Sequence, residues 1–523
     1  MAQATAIHFR VPKPGLVFAL VFGWKLAVLL VVALPVPAND AFFYDGAVVN
    51  WLLHGRYVNP SLAQVLPIAG TEVFSAYPPL YQAVLLPWMA VFGTSALAAM
   101  GLHLALFGGY LTVLLAIFRR LGVPNGCACL AGLFLLGLTF HDRPDSLAQL
   151  FGMLAVYAWI RSRPAPAPGA AASGSPRWAW AMAGFAVLGL ATSLQIGAAY
   201  VALVWLGALA ATFTAKERLP VGPLLATVLL PVVLVLLVVF RFPHLWAGFQ
   251  EHARHTPSFT GLRMPRFGDL LKVGRTVPGA LVAAVLLPGL LARRTEEAPC
   301  RQFGVVALAA TLTALAVVLA CLTLLTPNVV GIAGYLQPLI VGCVLALSTC
   351  VARPQRLARW QARVFLLLAL LCSVRAVGLT TWGVACAADV SYPAAMARVR
   401  QELASARPGQ AILCSSAYLY EAARHPDLKC IHSDWPGPAD PADPNPDLPA
   451  LLRLKPAQLL LTQFDYFRRY EPQVAALKAR REVAAVEVRQ TAHLPAPDSI
   501  RSVQRIVQHI SWAPVIIDVQ WKP

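Results

Sequence analysis

Charged residues are scarce in this chain, and acidic ones scarcest. Lys and Arg number 42, Asp and Glu 24, and together they make up 13% of the 523 residues. A soluble domain carries about 25%. Half that share, with 58% hydrophobic residues and a mean hydropathy of +0.63, excludes an ordinary water-soluble protein. The ten cysteines show no metal-ligand spacing; eight lie in or beside apolar runs, and Cys127 and Cys129 stand one residue too close for a redox CxxC pair. For Cys414 and Cys430, the last two, a disulfide and two free thiols are both open. A glycine-rich phosphate loop, a nucleophile elbow and an internal repeat are also missing.

What is present is a series of apolar runs near 20 residues long. Spans are expected at 15–35, 96–118, 126–140, 146–160, 178–194, 196–214, 223–240, 277–291, 305–326, 334–351 and 364–386. The first run is longer than the apolar part of a signal peptide, so it reads as a retained helix. Segment 80–93 follows Pro78-Pro79 and is too short to cross, so it is expected to lie in the interface. The fold class is therefore a polytopic α-helical membrane protein with about eleven spans. Residues 1–386 form the membrane region, and 387–523 form a small α/β tail with strands at 411–414, 428–432 and 458–462.

The formal charge of +18 needs locating before it means anything. About 26 basic and 10 acidic residues lie in 1–386, against about 16 and 14 in the tail. An excess among spans is an orientation signal, and no basic stripe with interleaved aromatics suggests nucleic acid. With the N-terminus in the cytoplasm, the inner loops carry about 16 basic and 3 acidic residues, the outer loops about 8 and 7. Outer loops 36–80, 141–145 and 241–276 and the tail then face outward, as expected for a bacterial inner-membrane protein.

Three outer segments carry candidate chemistry. The first reads NDAFFYDGAVVNWLLHGRYVNP and holds Asp40 and Asp45 at the start of what is expected to be an amphipathic surface helix. Five residues on a helix separate two carboxylates by roughly 140°, so only one of them is expected to act; helix-dipole compensation is the plain alternative. The second, HDRPDSLAQL, packs His141, Asp142, Arg143 and Asp145 into one turn, where Asp145 could simply cap a helix starting at Ser146. The third holds Arg254, Arg263, Arg266, Lys272 and Arg275, a basic outward loop suited to a lipid phosphate or to anionic head groups. Lys25 and Arg375 fall mid-span, where an ionisable group costs about 2.5–3.5 kcal/mol; function and snorkelling are both open.

In order, these pieces resemble the C-type (GT-C) glycosyltransferase superfamily, nearest the protein O-mannosyltransferase and lipid A aminoarabinose transferase branches. Asp40, Tyr44 and Gly55 are similar in spacing to the family's acidic first loop. YPPLYQAVLLPWMAVFG from Tyr77 resembles its PPLYYW…FG segment, RPDSLAQL its second acidic turn, and GYLQPLIVGCVLAL, with Tyr335, its late RYLLPLLP span. Ala41, Ser193 and Gly334 depart from the pattern, and the last two stand where many members carry Lys and Arg.

The resemblance implies transfer of a sugar from a polyprenyl-phosphate donor to an outer glycan, lipid or protein acceptor, with inversion. Asp40 would be the general base. Asp145 would orient the acceptor or, with Asp40, hold a divalent cation such as Mg or Mn. Asp45, Tyr44, Tyr77, Arg143, Arg254, Arg263, Arg266 and Tyr335 would line the substrate site. A transporter of lipid-linked sugars and a non-catalytic membrane scaffold are the readings from other classes.

Overall fold

The computed structural model describes residues 13–37, 41–75, 78–136, 143–163, 175–255, 304–313, 356–437, 447–490 and 511–522, with isolated positions between 316 and 348 and at 445. Its first helix, α1 (Pro14–Val32), has 19 residues. At 1.5 Å per residue it is about 28 Å long, close to the thickness of a bilayer core. Ala96–Leu121 (α5), Leu194–Ala215 (α9) and Val221–Arg241 (α10) follow the same logic. These four are the helices, among the described residues, that are long and apolar enough to cross a membrane. Shorter apolar helices are Leu80–Phe92 (α4), Asn125–Leu136 (α6), Gly304–Thr313 and the stretch Ala369–Ala385. Asp145–Ser162 (α7) and Pro176–Leu190 (α8) stand beside them in the bundle. The spans expected at 277–291 and most of 305–351 lie outside the described residues.

The bundle core is built from large side chains that interlock, among them Phe18, Phe107, Tyr110, Leu114, Trp159 and Tyr200. Close approach is set by small residues. A Cβ at Gly152 would sit 2.2 Å from the Tyr200 ring, so glycine is what lets α7 and α9 meet. By contrast α10 leaves Leu229, Leu230, Val232 and Leu237 exposed, which suits a helix whose solvent is lipid. Lys25 does not snorkel: it is buried, its Nζ donates to the Leu136 carbonyl at 3.3 Å, and it lies over the Phe107 ring. Arg375 is exposed on the long helix Arg356–Asp389 that leads to the tail.

Two helices beyond the spans frame the site: α2 (Ala41–His54), and α11 (Pro243–His255), which follows α10. The short α3 (Pro67–Thr71) lies between α2 and α4. The expectation of an amphipathic surface helix after α1 needs correction. Every residue from Ala41 to Asn50 in α2 is buried, because α4 and the tail cover it on both sides. Gly46 permits this: a Cβ there would lie 2.3 Å from Asn59 Nδ2. Asn59 in turn donates to the Phe42 carbonyl at 3.0 Å and accepts from Ser61 Oγ at 2.7 Å, folding the loop back on α2.

Among the described residues the tail holds a five-stranded sheet in the order β2-β1-β3-β5-β4. Strands β1 (Ala411–Cys414), β2 (Lys429–His432) and β3 (Gln458–Thr462) are parallel; β5 (Pro514–Trp521) and β4 (Val483–Gln490) extend the sheet antiparallel. Alternation along the strands fixes the two faces. Ile412, Cys414, Leu460 and Ile516 join a core shared with α2, α4 and α5, whereas Leu413, Leu459, Leu461 and Ile517 pack under the helices of the opposite face. Cys414 and Cys430 are both free thiols. The tail thus shares a hydrophobic core with the membrane region.

Candidate functional site

The second turn and the first loop meet. Helix α7 begins at Asp145 behind Pro144, with no side-chain cap, so Asp145 does not serve as the capping residue. Its carboxylate turns sideways instead. Oδ1 accepts from Ser193 Oγ at 3.0 Å, and Oδ2 lies 3.4 Å from Arg143 Nε. Ser193 stands at the start of α9 and is fully buried. Arg143 then reaches the first loop: Nη2 donates to the Tyr44 hydroxyl at 3.1 Å, with the guanidinium 5.5 Å from the ring centre. A guanidinium braced by a carboxylate behind it and a phenol beside it is pre-oriented, and such forks recognise phosphate and carboxylate oxygens. The Arg143 side chain keeps 24% of its surface open.

Asp45 is engaged differently. It is fully buried; Oδ1 accepts from the Tyr81 hydroxyl at 3.0 Å and Oδ2 from the Tyr420 hydroxyl at 2.7 Å. Tyr81 spends its single proton on Asp45, so His103 Nε2, 3.0 Å from the same oxygen, must be the donor there. His103 is itself buried in α5. Both carboxylate oxygens of Asp45 therefore brace α2 against α4, α5 and the tail. A further chain ties Tyr44 down. Gln82 Nε2 donates to the Tyr44 carbonyl at 2.9 Å and Gln82 Oε1 accepts from Tyr57 at 2.5 Å, while burial pushes the Tyr57 phenol above its ordinary range and keeps it a donor.

Basic residues gather at the far end of the bundle, where Arg163 forms a fork with Glu217 and Arg161 lies over Trp178. At the site end, α11 is held to the first loop. Glu251 accepts from the Ile68 amide at 3.3 Å, and His252 packs 4.8 Å from Phe43. Phe43 also stacks on Trp435 of the tail at 5.3 Å. The first loop, the second turn, α11 and the tail therefore converge on the ends of α7 and α9.

Of the residues proposed from sequence, Tyr44, Arg143 and Asp145 come together, and Asp45 lies beside them but sealed. Asp40, Tyr77, Arg263, Arg266 and Tyr335 lie outside the described residues, and Arg254 falls in the last turn of α11. Sequence reasoning missed Ser193 as the partner of Asp145, and Tyr420 and His103 around Asp45. Only Ser193 left a trace, as a departure from the family pattern. Among the described residues no three His, Cys, Asp or Glu side chains are grouped to hold a metal ion. Asp145, already paired with Arg143, does not make a divalent-cation site by itself. Compared with known proteins, the chain matches no family model and no curated protein.

Proposed function

We propose that this chain is an integral membrane glycosyltransferase that moves a sugar from a polyprenyl-phosphate donor to an acceptor on the extracytoplasmic face. The observation that carries it is the bridge Tyr44–Arg143–Asp145–Ser193, which joins the first acidic loop to the second at one end of the bundle. The reaction needs a base for the acceptor hydroxyl and positive charge for the departing phosphate, which is a good leaving group without an acid. Asp40, directly before α2, is the base in this proposal. It takes the proton as the acceptor oxygen attacks the anomeric carbon opposite the phosphate, which inverts that centre. Arg143, with the Tyr44 hydroxyl, faces the donor phosphate in place of the missing lysine. Asp145 orients Arg143.

The test compares wild type, Asp40→Asn and Asp145→Asn in nanodiscs. Each receives radiolabelled polyprenyl-phosphate sugars and a membrane extract as acceptor. Transfer by wild type with at least a ~100-fold loss in Asp40→Asn is expected, as removal of a general base gives. Asp145→Asn should raise the KM for the donor, because Arg143 loses its brace. Unchanged transfer in Asp40→Asn would reject that residue as the base. No transfer by wild type from any donor would reject the proposal.

A further inference from the structure

The parallel half of the tail has strand order β2-β1-β3, with Ser416–Ala422 on one face after β1 and Leu448–Leu454 on the other after β2. Such an order has a topological switch point between β1 and β3, and the crevice beyond the carboxyl ends of those strands is where open α/β sheets receive ligands. Here the chain's own first loop reaches the segment that follows the carboxyl end of β1. Ser415 follows β1 and ties to β3: its Oγ accepts from the Thr462 amide at 2.9 Å and donates to Asp465. The next residue, Ser416, accepts from the Phe42 amide at 2.8 Å. One turn on, Tyr420 packs edge-on against the Phe42 ring at 5.0 Å and donates to Asp45. The first four amides of a helix have no partner within it, and Ser416 supplies an acceptor to one of them in α2. The end of the same helix is fastened too, by the His54 Nε2 donation to the Ala423 carbonyl at 2.7 Å.

We propose that the tail is a positioning module: its switch-point crevice seats the first turn of α2 as an internal ligand, and Ser416 and Tyr420 are positioning residues for the candidate catalytic loop. Neither touches substrate. Ser416 holds the backbone two residues after Asp40. Tyr420 holds the carboxylate next to Tyr44, and through Tyr44 the contact with Arg143. The consequence for turnover rests on the transferase reading; the seating itself does not.

The experiment is therefore read in two independent ways on the full chain in nanodiscs, with Ser416→Ala, Tyr420→Phe and the conservative Ser416→Thr. Amide exchange followed by mass spectrometry should speed up at least ~10-fold over residues 41–46 in Ser416→Ala and Tyr420→Phe, an opening shift of about 1.4 kcal/mol or more. Strands 411–414 and 458–462 should keep wild-type protection, and Ser416→Thr should restore α2. Wild-type exchange over 41–46 in both variants would overturn the proposal. So would an equal rise across the tail strands, since that marks a tail merely unfolded. In the transfer assay, kcat should fall in Ser416→Ala while its KM for the donor stays within about twofold, and a rise in KM alone in that variant would overturn the positioning role. If wild type transfers no sugar, the exchange result still decides the seating.

Discussion

Asp465 offers the sharpest test of how the tail is held. Its side chain is buried at the end of β3, and it accepts from Ser415. Burial, followed by the charge of Asp434, pushes its carboxyl up from 3.8 to about 7. The folded tail thus keeps a proton that the unfolded chain releases near pH 4. Protons bound in excess by the folded state mean that stability falls as pH rises. The contribution is fully present below pH 4, is lost as pH rises through 7, and is gone above it. A raise of about 3 units at roughly 1.4 kcal/mol each gives on the order of 4 kcal/mol lost. Asp465→Asn supplies a neutral group of the same shape that still accepts from Ser415. It should flatten the profile and raise the melting temperature at pH 8 by several degrees. Thermal unfolding of wild type and variant between pH 5 and 8.5, followed by Trp fluorescence, makes the comparison. A variant less stable than wild type at pH 8, or one with an unchanged pH slope, would refute the reasoning.

Two further outcomes follow from packing and charge. Arg469 holds Asp447 with two bonds and Asp434 with one at 2.6 Å, so Arg469→Met leaves buried carboxylates unpaired and should cost about 3–5 kcal/mol, read as a lower unfolding midpoint of the tail. Gly46→Ala drives a methyl into Asn59 and should cost about 1–3 kcal/mol, with limited proteolysis appearing first in the 55–66 loop.

How much of this was legible in the sequence depends on whether local pattern or distant partners decide. The strands at 411–414 and 458–462 are local apolar runs and emerge with the expected bounds, and β2 begins one residue late. Strand β4 carries only a short edge alternation, Val486 and Val488 against Glu487 and Arg489. Its Arg489 finds Glu402 and Asp518 only in three dimensions. Apolar α1 and α10 could hardly be misread, and α7, with Asp145 and Arg161 in its end turns, emerges close to the expected 146–160. The burial of α2 was hidden because Asp45 looks like a surface acid until Tyr81 and Tyr420 are brought to it. The pairing of Asp145 with Ser193 was invisible for the same reason: no spacing rule joins residues 48 apart.

The separations across the tail contact bear on how the protein is made. Phe42 meets Ser416 across 374 residues, Asp45 meets Tyr420 across 375, and the Ala33 carbonyl receives the indole N–H of Trp512 across 479. During synthesis the first loop emerges early, yet its partners Ser416 and Tyr420 follow some 374 and 375 residues later. At about 5–20 residues per second, Asp45 waits tens of seconds without Tyr420. Contacts of such long range are slow to form and gather little before the end. A nascent chain halted before residue 416 leaves this loop without Ser416 and Tyr420, so closure of the site doubles as a signal that the first strand and helix of the tail have been made.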